Sequence, residues 1–454
     1  MSKSKVRLWQ ATLMLFMVLF LFYFSLYTKL MVKNRQSLDK KNGNWRATIM
    51  KLMETISPPT PLTSPSATTA VYDETTKTAA NKDQSSPRKP KILLWKSTPH
   101  VQGWTLPSSE MCGFGCEITR NRSEIESSDA VIFYMITADF NDLPDPRKRQ
   151  WDQAFVWWCH ESPATVNNFW HQSLREYNGY FNWTMHYRKD SNITAAFIPH
   201  TARDWYFDRV GRKTEKLIKK LKRTTSKTKF EEMFQELMKV KRNSAAWVVS
   251  DCNFVKGATT RRRFVSSMKH LGNYSVDIFG SCGNKHLAKK SSAMYDVLRT
   301  YKFYLAFENT QFCREYLTEK FWYNSLYAGV VPIVWGPSKA TVQDLAPPNS
   351  FIHVEDFNYN VTKLTNFLKY LEGNDEAYKN YFKWWMMPGF YPIYKLREAE
   401  DPEDRVGESI FQFEVNGFCH LCKMLHEKRH KTTHWAVSDP HQAFYGPEDL
   451  RCLY

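Results

Sequence analysis

Residues 301–337 read YKFYLAFENTQFCREYLTEKFWYNSLYAGVVPIVWGP, and this stretch decides the fold. Residues 303–307 and 330–335 are short apolar runs with strand character. Between them, Thr318 can cap a helix that Gly329 ends. The stretch therefore predicts a strand, a polar loop, a helix and a second strand.

Glu319 and Lys320 fall in the first turn of that predicted helix. Free N–H groups and the helix dipole favour an anion there, and Lys320 adds a full positive charge. The junction therefore suits a diphosphate. The alternative is an ordinary buried strand–helix–strand unit whose two charged side chains only face water, and a TEK tripeptide alone would favour that alternative.

Three parts of the stretch together resemble the signature of the α1,3/α1,4-fucosyltransferases, which are inverting enzymes that use GDP-fucose. FEN stands at residues 307–309, YLTEK at residues 316–320 and AGVVPIVWGP at residues 328–337. A match of this length favours the diphosphate site over a solvated pair of charges. The loop at residues 310–315 departs from the family pattern, because it carries one extra residue and the unusual Cys313.

A second predicted strand end carries a carboxylate. Residues 154–158 form an apolar run that His160 and Glu161 follow closely. Ligands of parallel α/β sheets bind at the carboxyl ends of the strands, so Glu161 is a candidate for chemistry. Neighbouring residues of an extended chain point to opposite faces, which makes His160 the weaker candidate. The alternative is a solvated glutamate after a strand.

The residues that follow favour the catalytic interpretation. HESP, FNWTM and YRKDS lie within residues 160–191 and resemble a fucosyltransferase region. The glutamate matching Glu161 is the proposed catalytic base of that family. The pattern departs at Asn192, where a second aspartate is usual, and the following AAFIPHTAR lacks the usual PYG.

The resemblance also implies five donor-binding residues: Arg261, Asn309, Tyr316, Glu319 and Lys320. Arg261 begins a run of three arginines, and a planar guanidinium can bond phosphate oxygens bidentately. The same run could equally form an exposed helix face. The chain has no D-x-D motif to hold a metal, so we expect Arg261, Lys320 and the helix N-terminus to neutralise the departing GDP. We predict no required cofactor and at most a modest stimulation by manganese.

The N-terminal residues indicate an anchor and a stem. Residues 8–28 are uncharged, and at about 1.5 Å rise per residue they can cross a bilayer of about 30 Å. A cleaved signal peptide is the alternative, but no small-residue cleavage site is seen. Residues 29–90, rich in Ser, Thr and Pro from residue 57 onward, predict a disordered stem. The resemblance implies a cytosolic tail at residues 1–7 and a single-pass type II protein of the Golgi membrane with a lumenal catalytic domain.

The remaining chain predicts an α/β architecture in two halves, because short apolar runs alternate with segments of helix length. We predict an acceptor-side Rossmann-like domain at residues 91–235 and a GDP-fucose-binding Rossmann-like domain at residues 236–410, with the linker within residues 224–242. Residues 411–454 would form a C-terminal segment that returns to the first domain. Two such domains facing a cleft are the GT-B arrangement.

The net charge of +17 could indicate a nucleic-acid partner. The chain lacks a nucleic-acid-binding signature, and its basic run at residues 212–229 is typical of a solvated helix and linker. We therefore predict no nucleic-acid partner.

Nine cysteines leave at least one unpaired. An oxidising lumen favours disulfides. Zinc is the alternative near Cys419 and Cys422, where histidines follow, but the spacing fits no finger pattern. The resemblance implies that these two cysteines bridge back to Cys112 and Cys116, with the connectivity open. The candidate N-glycosylation sites are Asn121, Asn182, Asn192, Asn273 and Asn360.

Together these patterns predict transfer of fucose from GDP-fucose to O3 of a GlcNAc in a glycoprotein or glycolipid glycan, with inversion and Glu161 as general base. One alternative is a GT-B transferase for another nucleotide sugar, and a second is a catalytically degenerate glycan-binding homologue. The sequence leaves the acceptor open among N-acetyllactosamine, LacdiNAc and the innermost GlcNAc of an N-glycan.

Overall fold

A computed structural model of the chain describes residues 88–95, 115–135, 142–170, 174–197, 225–287, 292–387, 413–427, 437, 439–446 and 452. All of them lie in one compact unit, Ser85–Tyr454. The predicted anchor at residues 8–28 and nearly all of the predicted stem lie outside the described residues. Within the described part of the chain, no helix is long and apolar enough to cross a membrane.

Two parallel sheets form the framework of this unit. The first contains β1 (Lys91–Leu94), β2 (Glu117–Thr119), β3 (Ala130–Tyr134), β4 (Ala154–Cys159), β5 (Trp183–His186) and β6 (Ile193–Thr194), in the order β2-β1-β3-β4-β5-β6. The second contains β7 (Arg242–Val248), β8 (Val276–Phe279), β9 (Tyr301–Phe307), β10 (Val331–Trp335) and β11 (Ile352–His353), in the order β11-β10-β9-β7-β8. The central strands are buried apolar runs, as expected for a sheet covered on both faces. The prediction of two parallel α/β sheets is confirmed.

Helices cover both sheets. They are α1 (Pro163–Trp170), α2 (Lys227–Met238), α3 (Lys256–His270), α4 (Ser292–Arg299), α5 (Glu319–Phe321), α6 (Lys339–Leu345), α7 (Val361–Glu372), α8 (Asp375–Lys379), α9 (Phe413–His426) and α10 (Pro440–Tyr445). Short 3-10 helices span Arg122–Ser127, Pro146–Lys148, Leu174–Tyr177, Val354–Phe357 and Asn380–Met386.

Helix α2 occupies most of residues 224–242, the range within which the linker was predicted to lie. Ser226 caps this helix through its side chain, and apolar residues recur along one face. Phe230, Phe234 and Leu237 are buried in the core around the second sheet. Most of the segment is therefore a packed helix of the second half, and a boundary at residues 235 and 236 would cut it.

The C-terminal helices complete the core of the first sheet. Phe418, Leu421 and Leu425 of α9 pack on one face of that sheet. Phe444 and Tyr445 of α10 belong to the cluster on its other face. The first sheet is thus covered in part by the end of the chain, whereas a single large cluster surrounds the second sheet.

Three disulfide bonds join described cysteines, so the expectation of disulfides is confirmed. They are Cys116–Cys422, Cys252–Cys282 and Cys313–Cys452. Cys419 is also disulfide-bonded, and Cys112 lies outside the described residues. The bond to Cys116 consumes the Cys422 sulfur, which removes it as the zinc ligand considered above. Cys159 is free and buried.

Candidate active site

The stretch quoted first folds as β9, a loop, α5 and β10, but its helix differs from the expected one. Thr318 is the N-cap, and its side chain accepts a hydrogen bond from the backbone of Lys320. Only Glu319–Phe321 is α-helical, and Trp322–Tyr327 continues as a π-helix. Gly329 follows with a φ of +66°, a conformation that glycine adopts without strain. π-helical turns occur frequently at functional sites.

Glu308 lies fully buried directly after β9. Its Oε1 accepts hydrogen bonds from the Thr318 backbone N–H at 2.9 Å and from the Thr318 hydroxyl at 2.8 Å. Its Oε2 lies 3.0 Å from the Lys320 ammonium. Burial raises the pKa of Glu308, and the charge of Lys320 opposes this shift. Glu308 therefore fixes both the start of α5 and the position of Lys320.

The Lys320 ammonium is held by three oxygen atoms. Besides Glu308, it contacts the Thr318 hydroxyl at 2.8 Å and Glu319 Oε1 at 3.1 Å. Burial alone would lower the pKa of Lys320, but Glu308 and Glu319 outweigh it and raise that pKa above its ordinary value. Lys320 therefore carries a permanent positive charge at the carboxyl edge of the second sheet.

Arg261 is the one buried member of its arginine run, since Arg262 and Arg263 are exposed. Its Nη1 donates to the Phe307 carbonyl at 2.7 Å and its Nη2 to the Asp251 carbonyl at 3.0 Å. The guanidinium thus bridges the ends of β7 and β9. Burial lowers the pKa of Arg261 from its ordinary value, and the charges of Asp251 and Glu308 oppose this shift.

Glu161 of the first sheet meets Tyr316 of the second half. The Tyr316 hydroxyl donates to Glu161 Oε2 at 2.9 Å, and the Glu161 side chain is 28% exposed. Burial raises the pKa of Glu161, while this hydrogen bond and the charge of Lys320 lower it, and the net direction is upward. A carboxylate with a raised pKa at a strand end has the properties of a general base.

His160 lies closer to Glu161 than its position in sequence suggested. Its Nε2 is 3.9 Å from Glu161 Oε1 and 3.1 Å from the Tyr134 hydroxyl. The His160 ring stacks on Tyr134 with centroids 5.1 Å apart. The chain turns at Glu161, so the expectation that the two side chains point apart is wrong.

Further contacts join the two halves beside Glu161 and Tyr316. The Lys189 backbone N–H donates to Glu315 Oε2 at 2.7 Å, and Arg314 donates to Asp190 Oδ2 at 2.6 Å. In the second half, these contacts come from the loop at residues 310–315, whose extra residue and Cys313 departed from the family pattern. The bond from Cys313 to Cys452 ties the same loop to the end of the chain.

The structure thus pairs Glu161 with Tyr316 and Glu319 with Lys320. The charge of Lys320 acts on Glu161, and the charge of Arg261 acts on Lys320. Asn309 begins the loop after Glu308. Sequence reasoning missed Glu308 as a functional side chain. The FEN motif contains Glu308 and could have pointed to it. The sequence does not show, however, that Glu308 is buried against Lys320.

Two family models match this chain. "Fucosyltransferase, N-terminal" covers residues 87–198, and "Glycosyltransferase family 10 (fucosyltransferase) C-term" covers residues 238–439. The chain belongs to glycosyltransferase family 10. It is therefore a glycosyltransferase of the fucosyltransferase family, and the two models cover the regions around the two sheets.

Characterised members of glycosyltransferase family 10 align with about two thirds of this chain. Mouse alpha-(1,3)-fucosyltransferase 7 is 32% identical over 299 residues, which is 64% of this chain and 65% of that protein. Bovine 3-galactosyl-N-acetylglucosaminide 4-alpha-L-fucosyltransferase is 35% identical over 301 residues, 65% of this chain and 71% of that protein. Human 4-galactosyl-N-acetylglucosaminide 3-alpha-L-fucosyltransferase is 33% identical over 301 residues, 65% of this chain and 72% of that protein.

The candidate glycosylation sites differ in their surroundings. Four of the five asparagines are exposed, namely Asn121, Asn192, Asn273 and Asn360. Asn182 is half-buried, and its Oδ1 accepts from the Phe155 backbone at 2.8 Å and from Arg149 at 3.0 Å. The FNWT motif around Asn182 therefore has a structural use within the first sheet.

Proposed function

We propose that this enzyme transfers L-fucose from GDP-fucose to O3 of a GlcNAc residue in a glycoprotein or glycolipid glycan, with inversion at the anomeric carbon. The hydrogen bond between Tyr316 and Glu161 carries the proposal, because it joins a carboxylate of the first sheet to the junction that carries Lys320. Relatives named as N-acetylglucosaminide fucosyltransferases support the acceptor class.

The donor diphosphate binds at the carboxyl edge of the second sheet. Lys320 supplies a fixed positive charge, and Arg261 lies close enough to influence its pKa. Helix α3 begins at Lys256 without a side-chain cap, so its first N–H groups are available to an anion. Glu319 holds a sugar or ribose hydroxyl, and Asn309 and Tyr316 also contact the donor.

Glu161 accepts the proton of the acceptor hydroxyl as its oxygen attacks the anomeric carbon of fucose. The new C–O bond forms on the face opposite the departing GDP, which leaves with the bonding electrons. Arg261, Lys320 and the N-terminus of α3 stabilise the charge that develops on the diphosphate. The predicted helix N-terminus was that of α5, but there the Thr318 backbone N–H already donates to Glu308. No metal is required in this scheme, and manganese stimulates at most modestly.

The two sheets support a GT-B-like arrangement in which the acceptor and donor approach Glu161 from opposite halves. We further propose that residues 8–28 anchor the protein in the Golgi membrane with residues 1–7 in the cytosol. The stem at residues 29–90 would then place the catalytic domain in the lumen, where disulfides form.

The test is a transfer assay with GDP-fucose, GDP-mannose and UDP-galactose as donors. N-acetyllactosamine, LacdiNAc and N-glycan core oligosaccharides serve as acceptors, with and without EDTA. We expect transfer from GDP-fucose alone, retained in EDTA, and an α1,3 linkage by NMR of the product. Preference for another donor would support the alternative GT-B transferase, and glycan binding without any transfer would support a degenerate homologue. Complete loss of transfer activity in EDTA, followed by its recovery on adding one specific metal, would contradict the metal-free scheme.

A further inference from the structure

A cavity of about 590 Å³ lies in the second half of the molecule. Its walls come from α6, the segments that flank β11, α7, α8 and the 3-10 helix Asn380–Met386. Among its described lining residues, none belongs to the site around Glu161 and Lys320. Ligand pockets of proteins typically enclose about 300–1,000 Å³, so this cavity has room for a small ligand.

Aromatic side chains supply the apolar part of the cavity wall. Phe351, Phe367 and Tyr381 are half-buried, and Tyr370 is 55% exposed. The ring centroids of Phe367 and Tyr370 lie 6.2 Å apart, with an angle of 30° between the ring planes. The two neighbouring rings therefore offer an accessible apolar surface to a flat ligand.

Amide side chains supply the polar part of the wall. Gln343, Asn349 and Asn380 line the cavity and are exposed. An amide group carries an acceptor oxygen and an NH₂ donor, so it can bond a hydroxyl group in either direction. The cavity can therefore hold a ligand with several hydroxyl groups.

The charges of the cavity wall cancel. Among the described lining residues, only Lys339 and Asp356 are charged, and they form an ion pair with each other. A nucleotide or another charged ligand therefore finds no surplus of opposite charge there. A pyranose sugar fits this lining better, because its C–H groups form an apolar face and neutral hydroxyls surround the ring.

Helix α6 links the cavity to the catalytic site. Gln343 lines the cavity, and the next residue, Asp344, forms an ion pair with Lys189 of the first half. The Lys189 backbone N–H donates to Glu315, which precedes Tyr316 in the contact between the two halves. A branched glycan that passes α6 could therefore place one branch in the cavity and another at the catalytic base.

We propose that this cavity binds a neutral sugar residue of the acceptor glycan, away from the GlcNAc that receives fucose. The inference rests on the proposed fucosyl transfer and adds a second binding site for the acceptor. The sugar ring stacks on Tyr370 and Phe367. The amides of Gln343, Asn349 and Asn380 bond its hydroxyls. The enzyme therefore prefers a branched glycan to a disaccharide that fills only the catalytic site.

The experiment compares Tyr370→Ala with the wild type on acceptors of two sizes, with GDP-fucose as donor. A neutral biantennary N-glycan is the large acceptor, and N-acetyllactosamine, LacdiNAc and chitobiose are the small ones. We expect the ratio of kcat/KM on the N-glycan to kcat/KM on the disaccharide to fall about 3- to 10-fold, because the stacked ring is lost. The change should appear in the KM of the N-glycan. Trp151→Ala alters an exposed aromatic residue of the first half and is the matched control, with an unchanged ratio.

Two further variants identify the interaction. Tyr370→Phe keeps the ring and removes the hydroxyl that accepts from Asn374 at 3.1 Å, so it should retain the wild-type ratio. The double variant Gln343→Ala with Asn380→Ala should lower the ratio as Tyr370→Ala does. Thermal unfolding shows that each variant is folded before its kinetics are compared. An unchanged ratio in Tyr370→Ala, or an equal loss on both sizes of acceptor, would overturn the inference.

A binding measurement separates this inference from the proposed function. The same N-glycan is titrated calorimetrically into Glu161→Gln, with and without Tyr370→Ala, so that no turnover occurs. We expect the added change to weaken binding about 3- to 10-fold. Equal affinities would overturn the inference. Absence of transfer by the wild type would contradict the proposed function, and a weaker affinity with Tyr370→Ala would still support the cavity as a glycan site.

The other source of a sugar is a glycan on the chain itself. Asn360, a candidate glycosylation site, is the N-cap of α7, the helix that carries Tyr370. Thr362→Ala removes the sequon and keeps the cap. If Tyr370→Ala lowered the ratio only when Thr362→Ala was also present, the glycan of Asn360 would be the occupant of the cavity. That result would overturn the inference.

Discussion

The carboxyl edges of the two sheets use charge in opposite ways. At the first sheet, Glu161 is a single carboxylate whose hydroxyl partner, Tyr316, comes from the other half of the molecule. At the second sheet, Lys320 is surrounded by oxygens of its own half. Glu161, at the edge of the first sheet, can therefore gain a proton. Lys320, at the edge of the second sheet, stays protonated. A base and a phosphate-binding charge need these two environments.

The two halves also differ in how their cores are closed. Most of the core around the second sheet comes from segments that follow one another in the chain, from α2 to the 3-10 helix Asn380–Met386. Its buried members from outside this range are Tyr187, Ala196, Phe197 and Cys452. The first sheet needs α9 and α10, and the bond between Cys116 and Cys422 spans a sequence separation of 306 residues. Damage to α9 and α10 should therefore affect the first half, whereas damage near Cys452 should affect the loop at residues 310–315.

The change expected to have the largest effect is Glu161→Gln, which removes the basic carboxylate while keeping its size. We expect transfer to fall by about 10²–10⁴-fold. GDP affinity should change little, because Arg261 and Lys320 lie in helices of the other half. Kinetics and calorimetry on one preparation check this result, with Glu117→Gln as an exposed control. Turnover near that of the wild type would exclude Glu161 as the base.

The corresponding change on the donor side is Lys320→Met. We expect weaker GDP binding and transfer slower by about 10²–10³-fold, because the charge that stabilises the leaving diphosphate is lost. The single change also leaves Glu308 buried without its cation, which lowers stability. The double variant Glu308→Gln with Lys320→Met should recover the unfolding temperature and not the GDP affinity. Recovery of both would mean that Lys320 acts only in folding.

The closure of the first half can be tested by replacing Cys116 and Cys422 with serine together. We expect the free energy of unfolding to fall by about 2–4 kcal/mol, since the unfolded chain is then less constrained. Denaturant titration measures this loss, and GDP calorimetry below the transition should remain close to the wild type. Replacing Cys252 and Cys282 is the comparison, because that disulfide lies within the donor half. A larger loss of GDP affinity from the first pair than from the second would contradict the assignment of Cys116–Cys422 to the first half and of GDP binding to the second.

The smallest expected effect concerns the contact between the two edges. The Tyr316 hydroxyl favours the ionised form of Glu161, so Tyr316→Phe should raise the Glu161 pKa further. The acidic limb of the pH–rate profile should then move to higher pH, with a loss of roughly tenfold or less near neutrality. Tyr295→Phe, a change at a buried tyrosine of α4, is the control. A shift of the limb to lower pH would contradict the proposed hydrogen bond.

Much of this architecture could be read from local patterns. Apolar runs at residues 154–158, 303–307 and 330–335 predicted β4, β9 and β10, with ends displaced by one or two residues. The shortest strands, β2, β6 and β11, were not predicted, because a strand of two or three residues is too short to show a periodic pattern. The π-helix after α5 was also missed, since its side-chain pattern resembles that of an α-helix.

The sequence alone determined the family, the two parallel sheets and the placement of Glu161 and Lys320 at strand or helix ends. These features depend on neighbouring residues, whose periodicity, caps and motifs act over a few positions. Only the tertiary structure decided which distant groups meet: Glu161 with Tyr316, Cys313 with Cys452, and Glu308 beneath Lys320. Those contacts arise from the packing of two sheets and from the return of the chain end, and burial in that packing sets the pKa values on which the chemistry depends.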